Sequence, residues 1–313
     1  MKRAIVFPGQ GSQVVGMGKD LATNFAAARL IFEEVDEALG QKLSHIMFEG
    51  PEADLTLTEN AQPAIMASSI ALLRVMEKET GFNPITYGTY FAGHSLGEYT
   101  ALAAAGSFSL ADTARLLKTR GQAMQKAVPL GEGAMAAILG LEIDQVTEIV
   151  AEANKVGICA VANDNSPGQI VVSGTVAAIN KAAELAKEKG AKRALLLPVS
   201  APFHSPLMQP AARLMEKALQ ATDVNTPMLP VIANVTAEAV SDANVIRKLL
   251  VEQVTGMVRW RESVQYMAAQ GVTSVLEIGV GKVLTGLVKR IDKNIEASCV
   301  GSVEDIKAFN VVA

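Results

Sequence analysis

"YFAGHSLGEYTALAAAG", Tyr90 to Gly106, passes from β-favouring residues through a serine set between two glycines into a run of helix formers. The aromatic pair before the turn and the alanines and leucine after it predict a strand, a sharp bend and a helix. Gly93-His94-Ser95-Leu96-Gly97 has the G-x-S-x-G spacing of a nucleophile elbow, in which the flanking glycines permit a tight turn that lifts the serine oxygen above the sheet. Five residues of this kind recur by chance in many chains. The strand before and the helix after are what give the pattern weight. A helix beginning at the serine also aims its first amides, and the positive end of its dipole, at the place where an oxyanion forms.

Working outward, "RAIVF" (Arg3–Phe7) reads as a strand, Ala22–Leu39 as an amphipathic helix, and "AIMASSIALLRVMEKET" from Ala64 as another helix. This alternation predicts a parallel sheet covered by helices. From Gly133 the order changes to a strand "GAMAAIL", a helix Ile143–Asn154, strands "GICAVAN" and "GQIVVSG" joined by the turn "DNSPG", a helix Ala177–Lys189 and a strand "KRALLLPVS". That is β-α-β-β-α-β, the split βαβ of a ferredoxin-like unit. Afterwards come a helix near Pro210–Ala221, a strand "LPVIANV", helices through Trp260 to Ala269 and a strand-turn-helix "SVLEIGVGKVLTGLVKRI". The expected fold is α/β: a large subdomain with a parallel sheet, residues 1–130 and 200–313, carrying an inserted ferredoxin-like small subdomain, residues 131–199. A site is expected in the cleft between them.

Composition narrows the function classes. Of 313 residues half are apolar and 19% charged, with a net charge of −4, which fits neither a disordered chain nor a fibrous repeat. The longest apolar runs, such as Ala101–Ala105, fall far short of the roughly 20 residues a membrane-spanning helix needs. In "MKRAIVFPGQ" the apolar run stops at Pro8, too soon for a signal peptide, so a cytoplasmic location is expected. Cys159 and Cys299 are too few and too far apart for a disulfide framework or a metal cluster, and both read as buried core thiols. The negative balance and the lack of a Lys/Arg run argue against nucleic acid. "FPGQGSQVVGMGK" invites a nucleotide reading and fails it: G-x-G-x-x-G from Gly9 meets Val14, a P-loop from Gly11 meets Met17, and "EIGVGKV" has Leu276 where the first glycine belongs. Such a loop can equally present a backbone N–H to an oxyanion.

A serine hydroxyl needs a base, and histidine is the usual one near neutral pH. His94 adjoins Ser95, but neighbouring side chains at such a turn diverge, so it is expected to pack locally; His45 lies in the polar segment "GQKLSHIMFEG". His204, in the irregular "VSAPFHSPLMQP", is left as the base. It follows Ser95 by 109 positions and precedes 109 more, unlike the late histidine of α/β-hydrolases. No acid partner is evident, and a backbone carbonyl can orient the imidazole instead. On its residues alone, Arg120 reads as a solvated side chain near a helix C-terminus, beside Arg115 and Lys118.

Nearly the whole chain resembles the malonyl-CoA:acyl-carrier-protein transacylases of dissociated, type II fatty acid synthesis. The resemblance is carried by "FPGQGSQ", "QPAIMASS" (Gln62–Ser69), "GHSLGEY", "TRGQAMQ" (Thr119–Gln125), "PFHSPLMQPA" and "EIGVGKVLTGLVKRI". It implies an α/β-hydrolase-like large subdomain, Ser95 as the acylated nucleophile, His204 as general base, and the backbone carbonyl of Gln253 as the group that holds the imidazole. It further implies an oxyanion hole from the amides of Gln10 and Leu96, and Arg120 as the group that binds the malonyl carboxylate, with Gln62 and Phe203 also binding substrate. A bidentate guanidinium suits a carboxylate, and Phe203 before His204 resembles the Phe-His pair that accompanies malonyl over methylmalonyl selection. Two departures stand out: Val280 replaces the proline of "EIGPGK", and no role is carried over to Asn163 in the variable "VANDNSPG". The implied partners are malonyl-CoA and holo acyl carrier protein, met by a monomer that needs no metal or cofactor, CoA thioester being substrate. Basic candidates for docking the carrier are Lys187, Lys189, Lys192 and Arg193, or Lys282, Lys289 and Arg290. A serine esterase or thioesterase would share the elbow, a polyketide-pathway malonyltransferase would share the chemistry, and a catalytically silent carrier-docking module would share only the partner.

Overall fold

The computed structural model describes residues 2–199 and 201–309. Among the described residues ten strands form two sheets. The larger takes β1 (Lys2–Phe7), β2 (Tyr90–Gly93), β7 (Val231–Ile232), β8 (Ala239–Val240), β9 (Val272–Ile278) and β10 (Glu296–Val300), in the order β10-β9-β1-β2-β7-β8. All its pairings are parallel except β7 with β8. The smaller takes β3 (Gly133–Leu139), β4 (Cys159–Ser166), β5 (Gln169–Thr175) and β6 (Arg193–Leu196), antiparallel throughout in the order β4-β5-β3-β6. Together with helices Ile143–Ala153 and Val176–Glu188 this is the expected split βαβ topology.

The large sheet is buried on both faces, and the two-residue period of β1 shows how. Ile5 and Phe7 enter one apolar core while Ala4 and Val6 enter another on the opposite face. In the small sheet, Ala136, Ile138, Ile170 and Val172 pack under its own two helices. Met135, Ala162 and Val171, on the other face, join the main core and tie the two sheets together. Parallel pairing sets Phe7 of β1 beside Gly93 of β2, and β1 lies between β2 and β9. The loops leaving β1 and β2 therefore emerge side by side at the carboxyl edge of the sheet, where open α/β sheets bind their ligands.

Several expectations needed correction. The helix expected over Ala22–Leu39 is two, Lys19–Asn24 and Ala26–Leu39, interrupted by extended Phe25 (φ −129°, ψ 122°). Phe25 packs its ring on the main core, a packing gain that outweighs continuity of the helix. The "DNSPG" turn is shorter than it reads: β4 continues to Ser166, which pairs with Gln169, leaving Pro167 and Gly168 to reverse the chain with Gly168 at φ 68°. In "LPVIANV" only Val231 and Ile232 are strand, and in "KRALLLPVS" only Arg193–Leu196, Ser200 lying outside the described residues. Cys299 is half-buried on β10, not a core thiol, whereas Cys159 is buried. The helices expected through Trp260 to Ala269 are two, Ala243–Thr255 and Trp260–Ala269, and Asp242 caps the first by accepting from the Asn244 and Val245 amides.

Candidate active site

Ser95, one residue beyond His94 after the end of β2, caps the helix Leu96–Ala104 with φ 53° and ψ −107°, a positive φ that a side-chain-bearing residue seldom takes. The strained position is the serine itself. Neither Gly93 nor Gly97 is at positive φ, and each is glycine for clearance: a Cβ at 93 would lie 1.9 Å from Gly97 O, and one at 97 would lie 2.4 Å from Phe7 O. The two glycines let the helix start sit directly on the ends of β1 and β2, and His94 N donates to Phe7 O at 3.1 Å.

His204 reaches this bend from 109 residues away and is likewise at positive φ, 54°. Ser95 Oγ donates to His204 Nε2 at 2.8 Å, and His204 Nδ1 donates to the backbone carbonyls of Gln253 at 2.9 Å and Gly256 at 3.1 Å. Those two neutral acceptors near the end of helix Ala243–Thr255 fix the tautomer, with the Nε2 lone pair facing the hydroxyl. Burial, and next the charge of Arg120, pull His204 down to about 3, so the imidazole is neutral at ordinary pH. His94 turns away as expected: Nε2 lies 2.8 Å from Asn165 Oδ1 and the ring packs 5.8 Å from that of Trp260. His45 is exposed on the short helix Leu43–Glu49.

Arg120 overturns its residue-level reading. It occupies the interior of helix Leu110–Lys126, is 1% exposed, and lines the same cleft as Ser95. Nη1 donates to Gln62 Oε1 at 2.8 Å, and Nη2 donates to Gln253 Oε1 at 2.9 Å and to Ser95 Oγ at 3.0 Å. Every one of these acceptors is neutral, and among the described residues no carboxylate forms an ion pair with it. A buried guanidinium with no carboxylate in direct contact, Glu98 lying one amide away beyond Gln253, is costly, and the cost is offset further when an anion arrives beside it.

The cleft encloses about 410 Å³ between the elbow and the small sheet. Gln10, Gln62, Met124, Met135, Phe203 and Asn163 stand in its wall with the serine, histidine and arginine. Phe203 is buried beside His204, and Gln62 is held by Arg120 and by a 3.9 Å contact from Nε2 to Met124 Sδ. Gln10 follows β1 in the loop beside the elbow, and Leu96 is the first residue of the helix, where the next two amides, of Gly97 and Glu98, bond the His94 and Ser95 carbonyls. Among the described residues neither the Gln10 nor the Leu96 amide is taken by a protein acceptor. Val280 packs on the main core between Gly279 and Gly281, both at positive φ.

The sequence reading missed two side chains of the site. Glu98, in the first turn after the elbow, is 2% exposed, and burial pushes its carboxyl up to about 7 against the pull of the Asn234 amide, the Gln253 amide and Arg120. Its Oε2 accepts from Gln253 Nε2 at 2.7 Å and from Asn234 N at 3.0 Å. Asn234 in turn accepts from Ser95 N at 2.7 Å and donates to Gly93 O at 2.8 Å. A glutamate three residues past an elbow serine, where the helix must be buried, was the available signal for Glu98. Asn234 carried none.

A serine hydroxyl hydrogen-bonded to a neutral imidazole, with the untaken Leu96 amide at the helix start and a buried guanidinium beside it, is the arrangement that serine-dependent acyl transfer calls for. The acyl transferase domain family model matches residues 4–312, and the chain belongs to that family. Among its relatives is the malonyl CoA-acyl carrier protein transacylase of Bacillus subtilis (strain 168), 47% identical over 98% of this chain and 95% of the relative. The acyl-carrier-protein-S-malonyltransferase of Bartonella henselae superposes with a TM-score of 0.96 at 57% identity, covering 98% of each chain. A malonyl-transacylase solved in complex with a type II PKS acyl-carrier protein superposes with a TM-score of 0.94 at 41% identity, again over 98% of each.

Proposed function

We propose that this chain moves a malonyl group from malonyl-CoA to the phosphopantetheine thiol of an acyl carrier protein, supplying fatty acid chain elongation. Ser95 Oγ attacks the thioester carbonyl as His204 Nε2 takes its proton, the Gln10 and Leu96 amides hold the tetrahedral oxyanion, and the CoA thiolate leaves with the proton from His204. The carrier thiol then gives its proton to His204, attacks the malonyl-serine ester, and releases Ser95 reprotonated. The observation that carries the malonyl reading is Arg120, a buried cation with no described carboxylate in direct contact, one hydrogen bond from the nucleophile oxygen. In malonyl the free carboxylate lies one methylene from the reacting carbonyl, so a guanidinium this close to Oγ suits it and leaves a neutral acyl group with nothing to offset the charge. The anion also neutralises a charge that depresses His204, strengthening the base when the right substrate is bound.

In this reading Gln62 and Phe203 complete the acyl pocket, no cofactor is required beyond the CoA thioester, and the protein works as a cytoplasmic monomer. The cleft is the junction of a small subdomain, 131–199, with a large one made of 1–130 and 200–313. No described helix is long and apolar enough to cross a membrane. The same chemistry serves a polyketide carrier, as the relative bound to a type II PKS carrier illustrates; an esterase acting on neutral esters would have no use for Arg120.

Mass spectrometry after incubation with malonyl-CoA tests the assignment. The wild type gains one malonyl and passes it to holo carrier protein, and Ser95→Ala gains none; a persisting adduct on that variant would refute the nucleophile. Arg120→Ala loses malonyl transfer by about 100-fold or more relative to acetyl transfer, since a site built around a buried polar partner discriminates strongly. Equal losses for the two substrates would make the arginine merely structural.

A further inference from the structure

Glu98 is absent from the steps above, yet it anchors most of the groups that carry them out. One oxygen, Oε2, receives both the Gln253 side-chain amide (2.7 Å) and the Asn234 backbone amide (3.0 Å). Asn234 goes on to hold Ser95 N and Gly93 O, and Gln253 Nε2 also donates to Ser95 O at 3.0 Å, so the serine is gripped on both sides of its Cα from this single point. The far end of the same Gln253 amide, Oε1, accepts from Arg120 Nη2 at 2.9 Å.

A glutamine amide can turn end for end, presenting either an acceptor or two donors. An ionised carboxylate only accepts, so it admits one orientation: NH₂ toward Glu98, carbonyl oxygen toward Arg120. Turned the other way, the amide would set donors against the guanidinium and an oxygen against a carboxylate, costing each buried partner one hydrogen bond and adding a repulsion. We propose that Glu98 is a positioning residue for malonyl transfer, its carboxylate setting the amide orientation of Gln253 and so aiming the Arg120 guanidinium at the substrate carboxylate beside Ser95. This rests on the malonyl reading of the site.

The charged and titratable groups around Glu98 are Arg120 from helix Leu110–Lys126, Tyr99 on its own helix and His204 beyond Ser95; Asn234 and Gln253 are uncharged. Protonation gives Glu98 a donor and removes the constraint on the amide. Its carboxyl sits near neutrality, so aim is lost as pH falls through that range.

The test compares malonyl with acetyl transfer in wild type, Glu98→Met and Glu98→Gln, each normalised to the fraction labelled by an active-serine reagent. Met keeps the volume without an acceptor, and the malonyl-to-acetyl ratio of kcat/KM falls by about tenfold or more, the scale of a lost charged hydrogen bond. Gln, which can still present an oxygen, recovers most of that ratio. Loss of folded protein alone would scale both substrates together, and an unchanged ratio in the normalised Met variant overturns the proposal. Should the Met variant not fold, the pH profile decides: the wild-type ratio falls from about pH 8 to about pH 6 and that of Glu98→Gln stays level. A level wild-type ratio, or a Gln variant that follows it, overturns the proposal equally. If the wild type itself takes up no malonyl, the reading of the site fails first, which this comparison shows separately.

Discussion

Ser95 and His204 meet through two of the three side-chain-bearing residues at positive φ among those described, the third being Ala237. Backbone of that kind costs of order 1–3 kcal/mol per residue and persists only where the surroundings enforce it. At Ser95 the enforcement comes from Asn234 on its amide and Gln253 on its carbonyl. At His204 it comes from the two carbonyls that take Nδ1. The low affinity of His204 for protons has a direct consequence. Its folded value lies below its unfolded one, so the neutral base persists as pH falls past the ordinary imidazole range near 6.5. Labelling of Ser95 by a serine-directed reagent is expected to hold its rate down to about pH 5, once reagent chemistry is corrected for. A sigmoidal loss centred near 6.5 would show an imidazole exposed to water and the described packing to be wrong.

The elbow works as a unit of strand, turn and helix. β2 has four residues and the helix nine, and neither would hold its shape alone; what binds them is the contact of the helix start with the end of β1. Gly97 makes that contact possible, and the atoms a Cβ would strike, Phe7 O at 2.4 Å and Pro8 O at 2.8 Å, are backbone that cannot swing aside. Gly97→Ala is therefore expected to push the helix off β1, costing about 1–3 kcal/mol in denaturant unfolding and slowing serine labelling, because the Leu96 amide is carried away from the Gln10 loop. Wild-type unfolding together with wild-type labelling would mean the approach is slack. Gly121 has the same role in the next layer: a Cβ there would lie 2.5 Å from Glu59 Cα, so the helix bearing Arg120 packs tightly on Thr58–Thr80, the helix bearing Gln62.

Across the whole molecule, the cleft keeps its width because the small sheet is latched to the large unit along β4. Val258 N donates to Ala162 O at 2.8 Å and Val258 O accepts from Asp164 N at 3.0 Å, extending the ladder by one parallel bridge. Next to it Arg261 grips buried Asp164 with Nε at 2.9 Å and Nη2 at 2.7 Å from Oδ2, and Asn165 meets His94. Arg261→Ala leaves that carboxylate buried without its cation and is expected to cost about 3 kcal/mol, whereas Asp164→Asn in the same background restores some of the loss. A loss under about 0.5 kcal/mol in thermal or denaturant unfolding would mean the pair is solvated and holds nothing. Much of this architecture was legible in the chain. The elbow, both helices of the small unit and its strand order follow from local periodicity and turn chemistry, which short windows of sequence carry. Short β7 and the break at Phe25 were hidden because packing, not local preference, sets their limits. At the site, that Ser95 and His204 would be brought together was readable from residue type and spacing, and that Arg120 and the Gln253 carbonyl would join them followed from the family's motifs. Burial of Arg120 with no described carboxylate in direct contact, the clearance role of Gly93 and Gly97, and the junction of Glu98, Asn234 and Gln253 were decided by the tertiary structure alone. The reason is physical: propensity and periodicity act over a few neighbouring residues, whereas desolvation, steric approach and hydrogen-bond satisfaction depend on what distant segments bring to the same few ångströms.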